Sequence, residues 1–403
     1  MRYLSSIFVQ NGGSCRPLTG SLNSKGGFQS NTNISIVSYK GEIISNTRLT
    51  NYMYIPLVTS DNVMRVIFSD NAKVTSYNAI GPVDSRWWRV SGIFGENEFT
   101  WGPTSFTGLE DVRLVVWNDI LYGIGFRPDV VQNKVIAQLI EYDEDFTINR
   151  SWFINTNKYM EKNWQPIEDM PFTFMYDPDR SSLLTLDIDN LQVADNNNMP
   201  TIINEIQTPD FTHILSGSSQ VIKLTNDQYL SICHTSHRYK DTNMYEHWVY
   251  NHYFVIYDKD MNKVWQSDPF RFISDCMEFT CGMCHDNDNL YISFSMYDGI
   301  THLLSIPITN FLDILATMRN HPDAYEGEPN NEYMVQSYNP VGPGMLIYMM
   351  FLENIHRLDN VNGLRELVLS SSFHINEIRN EVLLYFITRR MDCNHLLKEI
   401  IQQ

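Results

Sequence analysis

From about residue 15 to residue 310 the chain consists almost entirely of short strand signals, which constrains its fold more than any other feature. Runs rich in β-branched and aromatic residues recur at Ile34–Tyr39, Val63–Phe68, Asp119–Phe126, Lys134–Tyr142, Phe172–Met175, Leu183–Ile188, Gln228–Cys233, Tyr253–Tyr257 and Leu290–Ser295, bounded by Gly, Asn and Asp. Asp258-Lys259-Asp260 and Asp286-Asn287-Asp288-Asn289 read as hairpin turns. No long amphipathic helical pattern interrupts them. Many short strands at such spacing mean a sandwich, a barrel or a propeller.

A loose internal repeat separates these architectures. Polar clusters at Asn33–Ser35, Glu110–Arg113, Glu161–Asn163, Ser216–Ser219 and Glu278–Gly282 each precede a hydrophobic strand. Five units over this region give roughly 60 residues each, enough for a four-stranded blade. In a propeller the innermost strands line a central channel, so polar residues at equivalent strand starts converge at one mouth. The expectation is an all-β chain: a five-bladed β-propeller over residues 1–310 with an α-helical C-terminal extension over 311–403. In that extension Asn310–Arg319 reads as a short helix. Met345–His356, Gly363–Ser370 and Ile375–Arg390 carry helical spacing suited to packing on the propeller or to a homo-oligomer contact.

Composition narrows the partners. The net charge of −18 disfavours nucleic acid and anionic membrane and suits a neutral ligand, with room for a local basic pocket. A hydrophobic content of 43% supports a full core. No apolar run reaches membrane-spanning length, no secretory signal is read at the N-terminus, and six cysteines in this length read as a reducing, cytoplasmic compartment. Neither a cofactor nor a metal is expected. Cys281-Gly282-Met283-Cys284 lacks the second knuckle of a zinc site, and Asp187-Ile188-Asp189 has no nucleotide-binding domain around it.

The densest chemistry lies in Gly108-Leu109-Glu110-Asp111-Val112-Arg113, just before the run Leu114–Trp117. Neighbouring side chains on an extended strand point to opposite faces, so Glu110 and Asp111 can share a pocket only if the backbone bends there. Asp111 and Arg113, two apart, can share a face. In Glu161-Lys162-Asn163-Trp164, charge, amide and indole stand side by side, a combination suited to sugars: the indole stacks on a pyranose and the polar groups bond hydroxyls or phosphate. Gly217-Ser218-Ser219 is backed by a strand ending at His234, and Glu278-Phe279 is followed by Tyr297-Asp298.

Together with Asn33-Ile34-Ser35-Ile36, Arg48, Asn51-Tyr52, Tyr176-Asp177-Pro178 and Tyr250-Asn251-His252-Tyr253, these pieces resemble, in order and spacing, the five-bladed propellers of the β-mannoside phosphorylase and hydrolase group and the related β-mannosyltransferases. The resemblance covers about residues 15–310. It implies inverting chemistry at an anomeric carbon. Asp111 would be the acid, in some members acting through a substrate hydroxyl, with Glu110 and Asp298 as further catalytic carboxylates. Asn33, Arg48, Asn51, Arg113, Lys162, Asn163, Trp164, Ser218, His234 and Tyr297 would bind the substrate, a carbohydrate with a sugar phosphate or nucleotide sugar. The relatives carry proline where this chain has Val112. Arg180, near the place of a phosphate-binding arginine, falls in a turn. The expected activity is therefore a glycosyltransferase, phosphorylase or hydrolase on a mannose-like sugar; the competing class is a non-catalytic carbohydrate-binding or scaffolding propeller. Acid work requires the Asp111 pKa to rise, through burial or a like charge such as Asp298 outweighing the arginine.

Overall fold

Tight two-residue turns shape the hairpins. Lys40-Gly41 and Asn118-Asp119 both have positive φ at each residue (51° and 83°, 51° and 62°), the geometry whose twist matches that of paired strands. A second device recurs in Tyr142-Asp143-Glu144-Asp145-Phe146-Thr147 and Tyr257-Asp258-Lys259-Asp260-Met261-Asn262. In each, the first Asp accepts backbone N–H bonds from two and four residues ahead (2.9 and 2.8 Å in both), and the hydrophobic residue takes φ near 60°. The repeat is visible in three dimensions as two like hairpins in two different sheets.

The computed structural model describes residues 2–18, 30–50, 52–55, 65–68, 73–83, 89–90, 99–101, 104–107, 109–129, 134–154, 162–187, 215–240, 246–273, 277–286, 288–296, 300–321 and 323–325. They are mostly β. The first sheet runs Ser30–Tyr39, Glu42–Thr50, Lys73–Pro82, Thr104–Thr107, Phe99–Trp101, with Arg89–Val90 beside its third strand. The second runs Glu110–Trp117, Ile120–Asp129, Lys134–Tyr142, Ile148–Ile154, and the third Gln165–Pro166, Thr173–Asp177, Ser182–Thr185. The fourth is ordered Ser216–Gly217, Gln228–Lys240, Glu246–Asp258, Phe270–Arg271, Arg2–Tyr3, with Ile222–Thr225 and Lys263–Gln266 on its flanks. The fifth runs Glu278–His285, Asn289–Met296, Ile300–Pro307, Ser14–Pro17. Tyr52–Ile55 and Arg65–Phe68 form a separate hairpin. The N-terminal segment thus completes the last two sheets, joining distant ends of the chain.

The hydrophobic core lies between successive sheets. Leu109, just before the second sheet, and Val112, Leu114 and Ile140 within it pack on Val37, Ile44 and Ile80 of the first. Trp117, Tyr122 and Trp152 meet Phe174 and Leu184 of the third. Met175 and Ile167 meet Val221, Tyr229 and Val255 of the fourth. Phe254 and Phe270 of the fourth continue through Phe272, which stacks on Phe294 of the fifth at 4.4 Å. Cys284 and Leu303 of the fifth return to Ile34 and Ile36 of the first. Where leading strands approach, side chains must be absent. A Cβ on Gly217 would lie 2.5 Å from the Asn163 carbonyl, and one on Gly282 would lie 2.3 Å from the Ile36 nitrogen.

Each expected run holds a strand in its described part, at Val63–Phe68 and Leu183–Ile188 only as Arg65–Phe68 and Ser182–Thr185, and several strands are longer than their hydrophobic runs: Gln228–Lys240 and Glu246–Asp258 extend well past Cys233 and Tyr253. The N-terminal segment forms a short helix at Leu4–Gln10, with Leu4, Ile7 and Phe8 buried. The expected helix after the strands spans Ile308–Asn320, across the anticipated boundary at 310, with Phe311 against Phe8 and Phe254. The later helical segments lie outside the described residues.

Candidate functional site

Three leading strands slip register near their starts: between Thr32 and Ser35, between Glu110 and Arg113, and between Phe279 and Gly282. Such a bulge bends the strand and re-aims side chains. Asn33 and Asp111 occupy two of these bulges in the left-handed region, with φ 46° and 50°; Asn163, before the third sheet, has φ 65°. Asn and Asp adopt this conformation more readily than other non-glycine residues. The polar clusters of the repeat are therefore backbone devices as well as chemistry.

The bend at Asp111 is what lets two adjacent carboxylates share one neighbour. Arg48 Nη2 donates to Glu110 Oε1 at 2.9 Å and Nη1 to Asp111 Oδ1 at 3.5 Å. Lys162 Nζ lies 3.5 Å from Glu110 Oε2 with its side chain 43% exposed, whereas Asp111 is 15% exposed and Arg48 is buried. Asn33 Nδ2 donates to Asp111 Oδ1 at 2.7 Å. Asn33, Arg48, Glu110, Asp111 and Lys162 thus meet at one place, although they come from the first two strands of the first sheet, the start of the second and the segment before the third.

Burial pushes the Asp111 carboxyl up, but Arg48, Lys162, Arg113 and the Asn33 bond outweigh it, and the net pKa lies below the ordinary carboxylate value. The expected upward shift is corrected by this finding: the protein's own groups hold Asp111 ionised. Lys162 is shifted upward, first by Glu110, and stays charged.

Arg113 does not share a ligand-facing surface with the Asp111 carboxylate. It is fully buried, and its guanidinium donates to the carbonyls of Ser218 (2.6 Å), Asp111 (3.1 Å) and Gly217 (3.3 Å) and to Asn163 Oδ1 (3.1 Å). It clamps the leading segments of the second, third and fourth sheets together and contributes charge to Asp111 from beneath. Asn163 is engaged by that clamp. Trp164 is likewise corrected from a sugar platform to a core residue. It is 0% exposed, packed edge-on to Phe126 at 6.0 Å and against Phe174 at 5.7 Å, because the turned backbone at Asn163 sends the indole between sheets.

Ser218 Oγ lies 2.7 Å from His234 Nδ1, and both are buried. Burial, with Arg113 nearby, lowers the His234 pKa to about 3, so its imidazole is neutral and is no cation for phosphate; it packs against Tyr250 and Phe279. Glu278 caps a loop: its carboxylate accepts from the backbone N–H groups of Phe272 (2.6 Å) and Ile273 (2.8 Å). Asn51, Tyr297 and Asp298 lie outside the described residues. Sequence reasoning missed Thr32 and Ser295, whose hydroxyls bond Asn33. Nothing in a buried strand serine marks it before its cross-sheet partner is known. Among the described residues no group of His, Cys, Asp and Glu is arranged to hold a metal, and no helix is long and apolar enough to cross a membrane.

No family model matches the chain, and no curated protein does. Similar solved structures include a β-1,2-mannobiose phosphorylase from Listeria innocua (14% identity, 79% of this chain and 99% of that one, TM-score 0.43). A mannose phosphorylase from Leishmania mexicana in complex with phosphate ion matches at 12% identity over 74% of this chain and 89% of that one, with a TM-score of 0.42. A GDP-Man-dependent mannosyltransferase from the same organism matches at 13% identity over 73% and 90%, also at 0.42.

Proposed function

We propose that the five sheets are the blades of a five-bladed β-propeller, and that the chain is a carbohydrate-active enzyme breaking or forming a glycosidic bond with inversion on a mannose-like sugar. The observation that carries this reading is the bulge that turns Glu110 and Asp111 together toward Arg48 and Lys162. The residue pattern shared with the mannoside-active propellers supports it. Inversion needs one group to manage the proton on the exocyclic oxygen and flanking charge for an oxocarbenium-like transition state. Asp298 is the candidate for an opposing carboxylate, which inverting enzymes hold about 6.5–9.5 Å from the first.

The ionisation of Asp111 sets how it would work. As a carboxylate it can take a proton from an acceptor hydroxyl while a bond forms. For cleavage it must be protonated, and an incoming phosphate supplies the means. Phosphate charge offsets Arg48 and Lys162, and burial, the strongest influence on Asp111, then raises its pKa. The proton passes to the leaving oxygen, directly or through a sugar hydroxyl, as the phosphate oxygen attacks the anomeric carbon from the opposite face.

The test is turnover of manno-oligosaccharides with and without inorganic phosphate, and of sugar-nucleotide donors with mannoside acceptors. Mannose 1-phosphate, free mannose or an elongated product identifies the acceptor. Mannoside binding without turnover in every arm would replace the enzyme with a carbohydrate-binding propeller, and absence of both binding and turnover would end the carbohydrate reading.

A further inference from the structure

Asn33 links the candidate catalytic carboxylate to two hydroxyls that do not touch it. Its side-chain oxygen accepts from Ser295 Oγ at 2.7 Å and from Thr32 Oγ1 at 3.0 Å, and its Nδ2 donates to Asp111 Oδ1 at 2.7 Å. The Asn33 backbone N–H also donates to Ser295 Oγ at 3.2 Å. Ser295 therefore reads both the backbone and the amide of a residue held at φ 46°. Thr32 and Ser295 are buried, one in the first sheet and the other in the fifth, while Asp111 opens the second.

The two ends of a carboxamide discriminate between the states of a carboxyl group. A carboxylate only accepts, so it needs the NH2 end; a carboxylic acid donates and can bond the oxygen end. Turning the Asn33 amide over would present its oxygen to Asp111 and take an acceptor from two buried hydroxyls. The Ser295 hydroxyl would be left with the Phe279 carbonyl at 3.5 Å. The Thr32 hydroxyl would be left with Ser295 Oγ at 3.4 Å, so both hydroxyls exchange a short acceptor for a long one, which favours the amide orientation with its NH2 end on the carboxyl group.

We propose that Ser295 and Thr32 are positioning residues for Asp111: acting through Asn33, they hold the amide's donor end on its carboxyl group and select the proton-accepting state. The proposal deepens the functional reading above and rests on Asp111 being the working carboxylate. The other charged groups facing Asp111 are Arg48, Lys162 and Arg113, with Glu110 on the same arginine; the substitutions in the relay leave all of these side chains in the chain.

The experiment follows the Asp111 carboxyl titration by NMR in full-length protein labelled at aspartate carboxyl carbons, the signal being assigned by its loss in Asp111→Asn. Ser295→Ala frees the amide to turn. Asn33→Gly removes the amide while tolerating the positive φ, and Thr32→Val removes the second hydroxyl at nearly constant shape. Ser295→Ala and Asn33→Gly should each raise the midpoint by at least about half a pH unit, the scale of one lost hydrogen bond to the charged form. Thr32→Val should raise it less. Should Ser295→Ala not fold, Thr32→Val carries the test of the hydroxyls, and Asn33→Gly, which removes the direct bond to Asp111, marks the largest shift the relay can produce. Midpoints unchanged in the folded variants would overturn the relay. The titration needs no substrate, so a moved midpoint in a protein without turnover removes the catalytic reading and keeps the relay. An unmoved midpoint in an active enzyme does the reverse.

Discussion

Acidification should destabilise this protein well above the pH at which its carboxylates titrate, and two histidines set the size of the effect. His234 and His252 are buried with ring centroids 6.5 Å apart. Burial first, then Arg113 for His234 and the neighbouring His234 for His252, lowers each pKa to about 3. His252 donates its Nε2–H to the Glu278 carbonyl at 3.1 Å and packs on Phe270 and Phe272, a neutral ring in an aromatic layer. In the unfolded chain each histidine titrates near about 6.5. The folded pKa is depressed, so below about 6.5 the unfolded state binds protons that the folded state refuses. Stability is unaffected by these groups above that pH and falls continuously toward pH 3. Between pH 7.5 and 5.0 each histidine costs about 2 kcal/mol, and the pair about 4 kcal/mol, with a limiting slope of about 1.4 kcal/mol per pH unit per group. Urea unfolding followed by tryptophan fluorescence at the two pH values measures the loss. His252→Phe, which suits the aromatic surroundings, should remove about half of the pH dependence whatever it does to stability at pH 7.5. A wild-type loss below about 1 kcal/mol, or an unchanged slope in both His252→Phe and His234→Phe, would refute the reasoning.

Asp111→Asn keeps the size and the left-handed backbone but removes the titrating group; it should leave sugar binding largely intact and lower turnover at least about a hundredfold on a substrate found by the screen above. Arg113→Met deprives four acceptors of their buried donor and should cost about 3–5 kcal/mol of unfolding free energy in urea titrations, with Arg113→Lys intermediate because a single ammonium cannot serve three segments. Trp164→Ala should cost about 3–5 kcal/mol by opening a cavity between the second and third sheets; in calorimetry, mannoside affinity per folded molecule should stay near wild type, the opposite of a stacking platform. Below the ordinary carboxylate range Asp111 adds a further acid effect: its lowered pKa contributes stability above about 3.9 that is lost as pH falls through the folded value, and Asp111→Asn should abolish that increment in acid unfolding curves.

The sequence by itself determined the local geometry. Lys40-Gly41 and Asn118-Asp119 can take positive φ and close hairpins, and β-branched alternation makes strands of the runs they join. The even spacing of polar clusters marked where leading strands begin, and the adjacency of Glu110 and Asp111 required a bend that the structure supplies with φ 50° at Asp111. These properties depend on neighbours a few residues away. What only the tertiary structure decided is which face of each residue meets protein. The Arg113 guanidinium reaches Ser218, 105 residues on, and so becomes a clamp. Trp164 finds Phe126 and Phe174 and so enters the core. Asp111 meets Arg48, 63 residues earlier, and its charge state reverses the expected shift. Burial and the sign of a local field are sums over atoms brought together by sheets distant in the chain. A sequence pattern can name the titratable group, but its pKa belongs to the assembled neighbours.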